Sequence, residues 1–193
     1  MNLYFDTEFT GLHKDTTLIS IGFVSETGKT FYAEFTDYDK SQVNSFISEN
    51  VLSNLLFSDI NIDPGSTVVL GSANPTADVV VIGNKAGVAA ELTEWMSQFK
   101  EINLISDCGW YDMVLLIDLY GSAFDIPEFM SPVYHDINSD ISYMYGVTEE
   151  EAFDKNREEI LLENQIPIPE GAKHNSLYDA KVIKEIYKIS QYC

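Results

Sequence analysis

NLYFDTEFTGLHKDTTLISIGFVSETGKTFYAEFT, residues 2–36, contains three apolar runs separated by turn-forming residues. Residues 2–6 end on a carboxylate, 17–24 carry Leu18, Ile19, Ile21, Phe23 and Val24, and 29–36 alternate aromatic residues around Ala33. Runs of β-branched and aromatic residues of this length predict strands, and Gly28, after Glu26-Thr27, marks a hairpin between the second and third. Three strands in succession with short connections give the sheet an antiparallel opening.

Outward from this stretch, helices and strands alternate. Ser41 can cap a helix on which Val43, Phe46, Ile47, Val51, Leu55 and Leu56 share one apolar face. Asp63-Pro64-Gly65 and Gly71-Ser72-Ala73-Asn74-Pro75 flank apolar tetrads at 67–70 and 79–82, the pattern of a small hairpin inserted at about 60–83. Such a hairpin is open to three roles: a dimer contact, a lid or a plain surface feature. A second helix carries Val88, Leu92, Trp95, Met96 and Phe99 on one stripe. Residues 102–106 read as a buried strand, 111–120 as a helix ended by Gly121, and 133–137 as another strand. Thr148 with Glu151 forms a capping-box pattern that starts an acidic helix, and 166–171 breaks it before a last helix from about 177 to 192. The order predicts an α/β fold in one domain spanning 1–193. Its mixed five-stranded sheet has three antiparallel strands followed by parallel ones, flanked by helices.

Charge constrains the chemistry. The 193 residues hold 31 Asp+Glu against 11 Lys+Arg, a formal net charge of −20, which excludes a basic nucleic-acid groove visible in bulk composition. Because 45% of residues are hydrophobic, the chain can bury a core, unlike an acidic disordered tail. A phosphate-bearing ligand must then be held locally, most simply through a divalent cation. The first residues lack the basic and apolar regions of a signal peptide, and no apolar run approaches the roughly 20 residues of a membrane span. Two cysteines, Cys108 and Cys193, are too few for a disulfide framework. These features lead us to expect a cytoplasmic protein with no membrane partner.

Asp6 and Glu8 are two apart at the end of the first strand, so their side chains point to one face and suit a hard cation. Alone, they read more readily as two exposed acids in an acid-rich chain. Asp112 follows the 102–106 strand at a helix start, where Asp also favours the helix dipole, and Asp107 competes with it for the same role. Asp179 enters the last helix, where Ser176 and Asp179 also fit a plain capping pattern. All three acidic elements nevertheless fall at a strand end or at the start of the following helix, the edge where open α/β sheets place their sites. His174, five residues before Asp179, adds a group that can take a proton from water near neutral pH. His13 and His135 read as packing or surface residues. Arg157, the sole arginine, sits beside Glu158 and Glu159 and reads as part of a solvated helix face.

These residues resemble the DEDDh branch of the RNase H-like exonucleases. Phe5-Asp6-Thr7-Glu8-Phe9-Thr10-Gly11-Leu12 is similar to that family's first motif, and His174-Asn175-Ser176-Leu177-Tyr178-Asp179-Ala180 to its third. Asp107-Cys108-Gly109-Trp110-Tyr111-Asp112 is similar to the second, with Asp107 at a position where the family usually has Asn. The short lead-in to Asp6, the run Leu18-Ile19-Ser20-Ile21-Gly22 and the length look most like the small mycobacterial-type 3′–5′ exoribonucleases. The resemblance implies an RNase H-like sheet and two Mg²⁺ or Mn²⁺ ions held by Asp6, Glu8, Asp112 and Asp179. It also implies His174 as general base in hydrolysis that releases 5′ mononucleotides from single-stranded RNA or DNA 3′ ends. Thr10, Gly11 and Leu12 would border the terminal nucleotide, and Trp110, Tyr111 and Tyr178 are candidate stacking surfaces. Lys173 and Lys181 are within reach of phosphates, and a homodimer is a further expectation.

Two other classes compete. A non-catalytic acidic module that mimics nucleic acid explains the charge but gives His174 no purpose. An endonuclease built on the same sheet would cut a circular strand, which an exonuclease cannot.

Overall fold

The computed structural model describes residues 1–57, 59–60, 62–63, 65–71 and 77–192. Its first three strands follow the sequence pattern: β1 (Asn2–Phe9), β2 (Leu18–Ser25) and β3 (Thr30–Phe35) pair antiparallel in succession. Gly28 turns the hairpin with φ 93°, a conformation open to glycine at little steric cost. Beyond them come β4 (Val68–Leu70), β5 (Val79–Gly83), α1 (Lys85–Ser97), β6 (Ile102–Ser106), α2 (Gly109–Tyr120), β7 (Met130–Asp136), α3 (Ile137–Tyr145), α4 (Glu149–Phe153), α5 (Arg157–Glu163) and α6 (Ser176–Ser190). The sheet order is β4-β5-β3-β2-β1-β6-β7, in which β5 pairs parallel with β3, β6 with β1 and β7 with β6. The C-terminal ends of five strands therefore share one edge.

The sheet thus has seven strands among the described residues, against the five expected from sequence. The extra two come from the segment read as an inserted hairpin: β5 pairs with β3 from Phe31↔Val79 to Phe35↔Gly83, and β4 covers its outer edge. The tetrad at 79–82 is apolar at every position, and Val80, Val81 and Ile82 are all buried. Continuous apolar runs suit strands covered on both faces, which a surface hairpin is not. The loop predicted at Gly71-Ser72-Ala73-Asn74-Pro75 lies outside the described residues except at Gly71.

The helix predicted from Ser41 is also different. Asp39, not Ser41, caps a short 3₁₀ turn (Lys40–Gln42), and Val43 then takes an extended ψ of 116°. A π-helical turn (Ile47–Val51) and a second 3₁₀ turn (Leu52–Asn54) follow. Ser, Gln and Asn crowd this segment and bond to the backbone themselves: Gln42 Nε2 donates to the Asp15 carbonyl at 3.0 Å, and Asn50 Nδ2 to that of Phe46 at 3.0 Å. Ile47 and Val51 still pack on Ile19, while Phe46 is left exposed.

α1, α2 and the cap at Thr148 match their patterns, whereas α3 is not expected from sequence and the acidic helix after Thr148 is split into α4 and α5. α1 buries Val88, Leu92, Trp95 and Met96, Gly121 ends α2, and Thr148 with Glu151 forms the reciprocal capping box. The N-cap of α6 is Asn175, one residue earlier than Ser176, accepting from Tyr178 N at 3.2 Å. α1 and α2 cover one face of the sheet over Leu3, Phe5, Phe23 and Phe31, and α3, α5 and α6 cover the other over Tyr4 and Ile105. Among the described residues no helix is long and apolar enough to cross a membrane.

Candidate active site

The site forms where β1 ends. Alternation along the strand turns Asp6 and Glu8 toward the face covered by α6, and Thr7 toward that of α1 and α2. Thr7 meets the first turn of α2: its Oγ1 donates to Asp112 Oδ1 at 2.6 Å, and its backbone N–H donates to the same atom at 3.2 Å. Asp112 is fully buried.

α6 reaches the site because Gly22 has no side chain. Gly22 lies opposite Asp6 in the β1–β2 ladder, and a Cβ on it would stand 2.4 Å from Leu177 N. The Ser20 and Ser176 hydroxyls meet beside it at 2.9 Å. This close approach places Asp179, in the first turn of α6, beside Asp6 and Glu8.

The result is two overlapping carboxylate groups. One oxygen each from Asp6, Glu8 and Asp179 lie within 4.8 Å of one another, as do one each from Asp6, Asp107 and Asp112. Asp6 belongs to both. Asp6 Oδ2 and Asp112 Oδ2 are buried with no hydrogen-bond partner, a costly state for carboxylate oxygens unless something else satisfies them. A donor set made wholly of oxygen fits a hard divalent cation.

Burial is the largest influence on all four acids predicted from sequence. It holds Asp6 well above the ordinary carboxylate range, helped by Asp112 and then Asp179, and does the same to Asp112 against the opposing hydrogen bonds from Thr7. Burial followed by Asp179 pushes Glu8 up to about 9, and burial followed by Asp107 pushes Asp179 up to about 8. Without a cation Glu8 and Asp179 thus hold their protons to higher pH than ordinary carboxyls do.

His174 sits at the mouth with a left-handed φ of 65°. Its backbone N–H donates to Asp179 Oδ2 at 2.9 Å, its Nδ1 lies 3.9 Å from Glu8 Oε1, and its ring meets Phe46 edge-on with centroids 5.5 Å apart. Burial, and then the charge of Lys173, lower its pKa below the usual histidine value, so the ring is neutral near pH 7. Among the described residues the ring nitrogens make no hydrogen bond.

Asp6, Glu8, Asp112, His174 and Asp179 are thus brought together from three stretches of chain. Asp107 joins them, so the two candidates that sequence set in competition are both present. Arg157 corrects the reading of a solvated face: its guanidinium is largely buried and donates from Nε to Asp107 Oδ2 at 2.9 Å. Adjacent glutamates hid this role, because a fifty-residue separation leaves no periodic signal.

The flanking candidates divide. Leu12 is 76% exposed and Trp110 84% exposed, both open to a ligand. Thr10 is buried, with its hydroxyl accepting from Thr17 N at 2.9 Å and bonded to the Gln42 side chain. Gly11 N donates to Thr16 Oγ1 at 3.0 Å, so these two residues set the turn that displays Leu12. Tyr111 stacks on Phe9 with centroids 5.0 Å apart. Tyr178 is buried with its hydroxyl on Glu158, which removes it as a stacking surface.

No protein-family model and no curated protein matches the chain. Solved structures do. The nuclease domain of 3'hExo, described as a DEDDh family member bound to rAMP, aligns with a TM-score of 0.68 and 16% identity over 99% of this chain and 91% of that one. A 3'-exonuclease in a structure of 3'-end specific recognition of histone mRNA stem-loop gives 0.64 and 15% identity over 99% of this chain and 63% of that one. A full-length 3'-exonuclease gives 0.65 and 15% identity, with coverage of 99% and 60%. The mixed sheet and flanking helices are therefore the RNase H-like nuclease fold. The structural neighbours are DEDDh-family 3'-exonuclease nuclease domains, and they do not single out the small mycobacterial-type subgroup.

Proposed function

We propose that the chain is a divalent-metal-dependent 3′–5′ exonuclease that removes 5′ mononucleotides from single-stranded RNA. The observation that carries this reading is the pair of carboxylate groups sharing Asp6, with two buried oxygens unpartnered and a neutral histidine at the rim. Asp6, Glu8, Asp112 and Asp179 would hold two Mg²⁺ or Mn²⁺ ions, which when bound supply charge neutralisation to the phosphodiester and acidify water. His174 accepts the proton of the attacking water on a ring nitrogen; its depressed pKa keeps that nitrogen free, and its backbone bond to Asp179 fixes where the ring stands. Thr7 orients Asp112 by two hydrogen bonds to one oxygen, leaving the other for a cation. Leu12 and Trp110 offer apolar surface to the terminal bases.

An acidic module that merely imitates nucleic acid needs its charge on the surface, and gains nothing from carboxylates buried at a strand end. The RNA preference is supported by the neighbours described with rAMP and with a histone mRNA stem-loop. The test is a time course on matched single-stranded RNA and DNA carrying a 5′ label, with and without Mg²⁺. A Mg²⁺-dependent descending ladder on RNA, faster than on DNA, is expected. Cleavage of a circular strand, or no cleavage of either polymer with any divalent ion, overturns the reading.

A further inference from the structure

Asp107 lies in the short link between β6 and α2, held from two sides. One of its oxygens lies within 4.8 Å of oxygens of Asp6 and Asp112. Its Oδ2 accepts from Arg157 Nε at 2.9 Å, and its backbone carbonyl accepts from Asn138 Nδ2 at 2.8 Å. Asn138 Oδ1 in turn accepts from Arg157 Nη2 at 2.7 Å, which closes a ring of three residues. Arg157 Nη1 is spent on the carbonyls of Ala152 at 2.8 Å and Lys155 at 3.1 Å. The guanidinium is thus clamped, and Asp107 with it.

We propose that Asp107 is a ligand of the cation position formed with Asp6 and Asp112, and that Arg157 is the positioning residue that orients it and offsets its charge. The inference rests on the two-cation reading given above. An acidic cluster alone would not carry it. The second observation is that Asp6 Oδ2 and Asp112 Oδ2, from residues 8% and 0% exposed, have no partner in the protein and belong to the group that Asp107 completes. Charge gives a third argument. Two divalent ions balance Asp6, Glu8, Asp112 and Asp179; a fifth carboxylate leaves one negative charge over, which would repel a phosphodiester. Arg157, the only arginine in the chain, supplies the balancing cation at that residue. A lysine has one nitrogen and cannot reach Asp107, Asn138 and two carbonyls at once.

The experiment is a Mn²⁺ titration of the full chain, followed by calorimetry and electron paramagnetic resonance. It is run on the protein as it stands, on Asp107→Asn, on Arg157→Met and on the double variant, with metal-free thermal melts as the folding control. The unaltered chain is expected to bind two ions, and Asp107→Asn to weaken one of them roughly tenfold or more. Arg157→Met weakens the same ion, and the double variant is no worse than Asp107→Asn alone, because Arg157 acts through Asp107. If Arg157→Met does not fold, Arg157→Lys replaces it, with the same ion weakened despite the retained charge. Wild-type affinity at both positions in Asp107→Asn overturns the ligand assignment, and additive losses in the double variant overturn the positioning role. If the unaltered chain degrades RNA while Asp107→Asn binds both ions normally, this inference fails and the nuclease reading stands. If two ions bind with Asp107-sensitive affinity but no polymer is cleaved, the reverse holds. A chain that binds no divalent ion overturns both.

Discussion

His174 and Asp112 show how single residues divide the work. His174 contributes its backbone N–H to Asp179 and its ring nitrogens make no hydrogen bond among the described residues, so truncating the side chain removes the proposed proton acceptor without touching a carboxylate. His174→Ala should lower kcat by about 10²–10⁴-fold, the usual worth of a positioned base, while Mn²⁺ affinity measured by calorimetry stays as in the unaltered chain. A parallel loss of both would mean that the histidine organises the cation site instead. Asp112→Asn keeps the size of the group and can still accept from Thr7 through its amide oxygen, but it places a neutral amide where a buried oxygen is unpartnered. We expect it to abolish nuclease activity and weaken Mn²⁺ binding together. Silence of Asp112→Asn in an activity assay would move the ligand role wholly to Asp107.

At the scale of elements, the decisive contact is α6 on β2. Gly22→Ala puts a methyl 2.4 Å from Leu177 N, which only a shift of α6 can relieve. The expected cost is about 1–3 kcal/mol in urea unfolding, with a fall in activity larger than the stability loss explains, because Asp179 and His174 move with the helix. Wild-type activity in a folded Gly22→Ala would show that α6 tolerates displacement. Elements also mark the limit of what the sequence revealed. β1, β2 and β3 were legible because their pairing is local and their turn is signalled by Gly28. α1 and α2 were legible because Val88, Leu92 and Met96, or Leu115, Leu116 and Leu119, recur at helical spacing. The tetrad at 79–82 was legible as a strand, but its parallel partner β3 lies some fifty residues away, and periodicity carries no information about partners. The segment after Asp39 failed because its polar side chains compete with the backbone, as Gln42 does through Asp15. Of the candidate site, the positions of Asp6, Glu8, Asp112 and Asp179 at strand ends and helix starts, with His174 just before α6, were readable from sequence. Arg157 and the joint presence of Asp107 and Asp112 were not, since both depend on which elements pack together.

The whole molecule gathers buried carboxyl groups where its stability responds to pH. In the unfolded chain Glu8 and Asp179 ionise near pH 4, whereas in the metal-free fold they hold protons to about 9 and about 8. Raised carboxyl values mean that the folded state binds more protons across that window, so stability falls as pH rises from about 4 through about 9. Thermal melts of the metal-free protein should therefore show Tm declining between about pH 6 and about pH 8, and Mg²⁺ should raise Tm more at the higher pH. A Mg²⁺ effect independent of pH would separate ion binding from these acids. With a net charge of −20 and the acidic cluster buried at a sheet edge, the proposed nuclease site needs bound cations to accept a phosphodiester. The most direct measurement is anomalous diffraction at the manganese edge from crystals of the chain grown with Mn²⁺ and a nucleoside monophosphate. Two peaks on either side of Asp6, about 4 Å apart, one against Glu8 and Asp179 and one against Asp112, are the result predicted. Peaks elsewhere on the acidic surface, with none at Asp6, would contradict it.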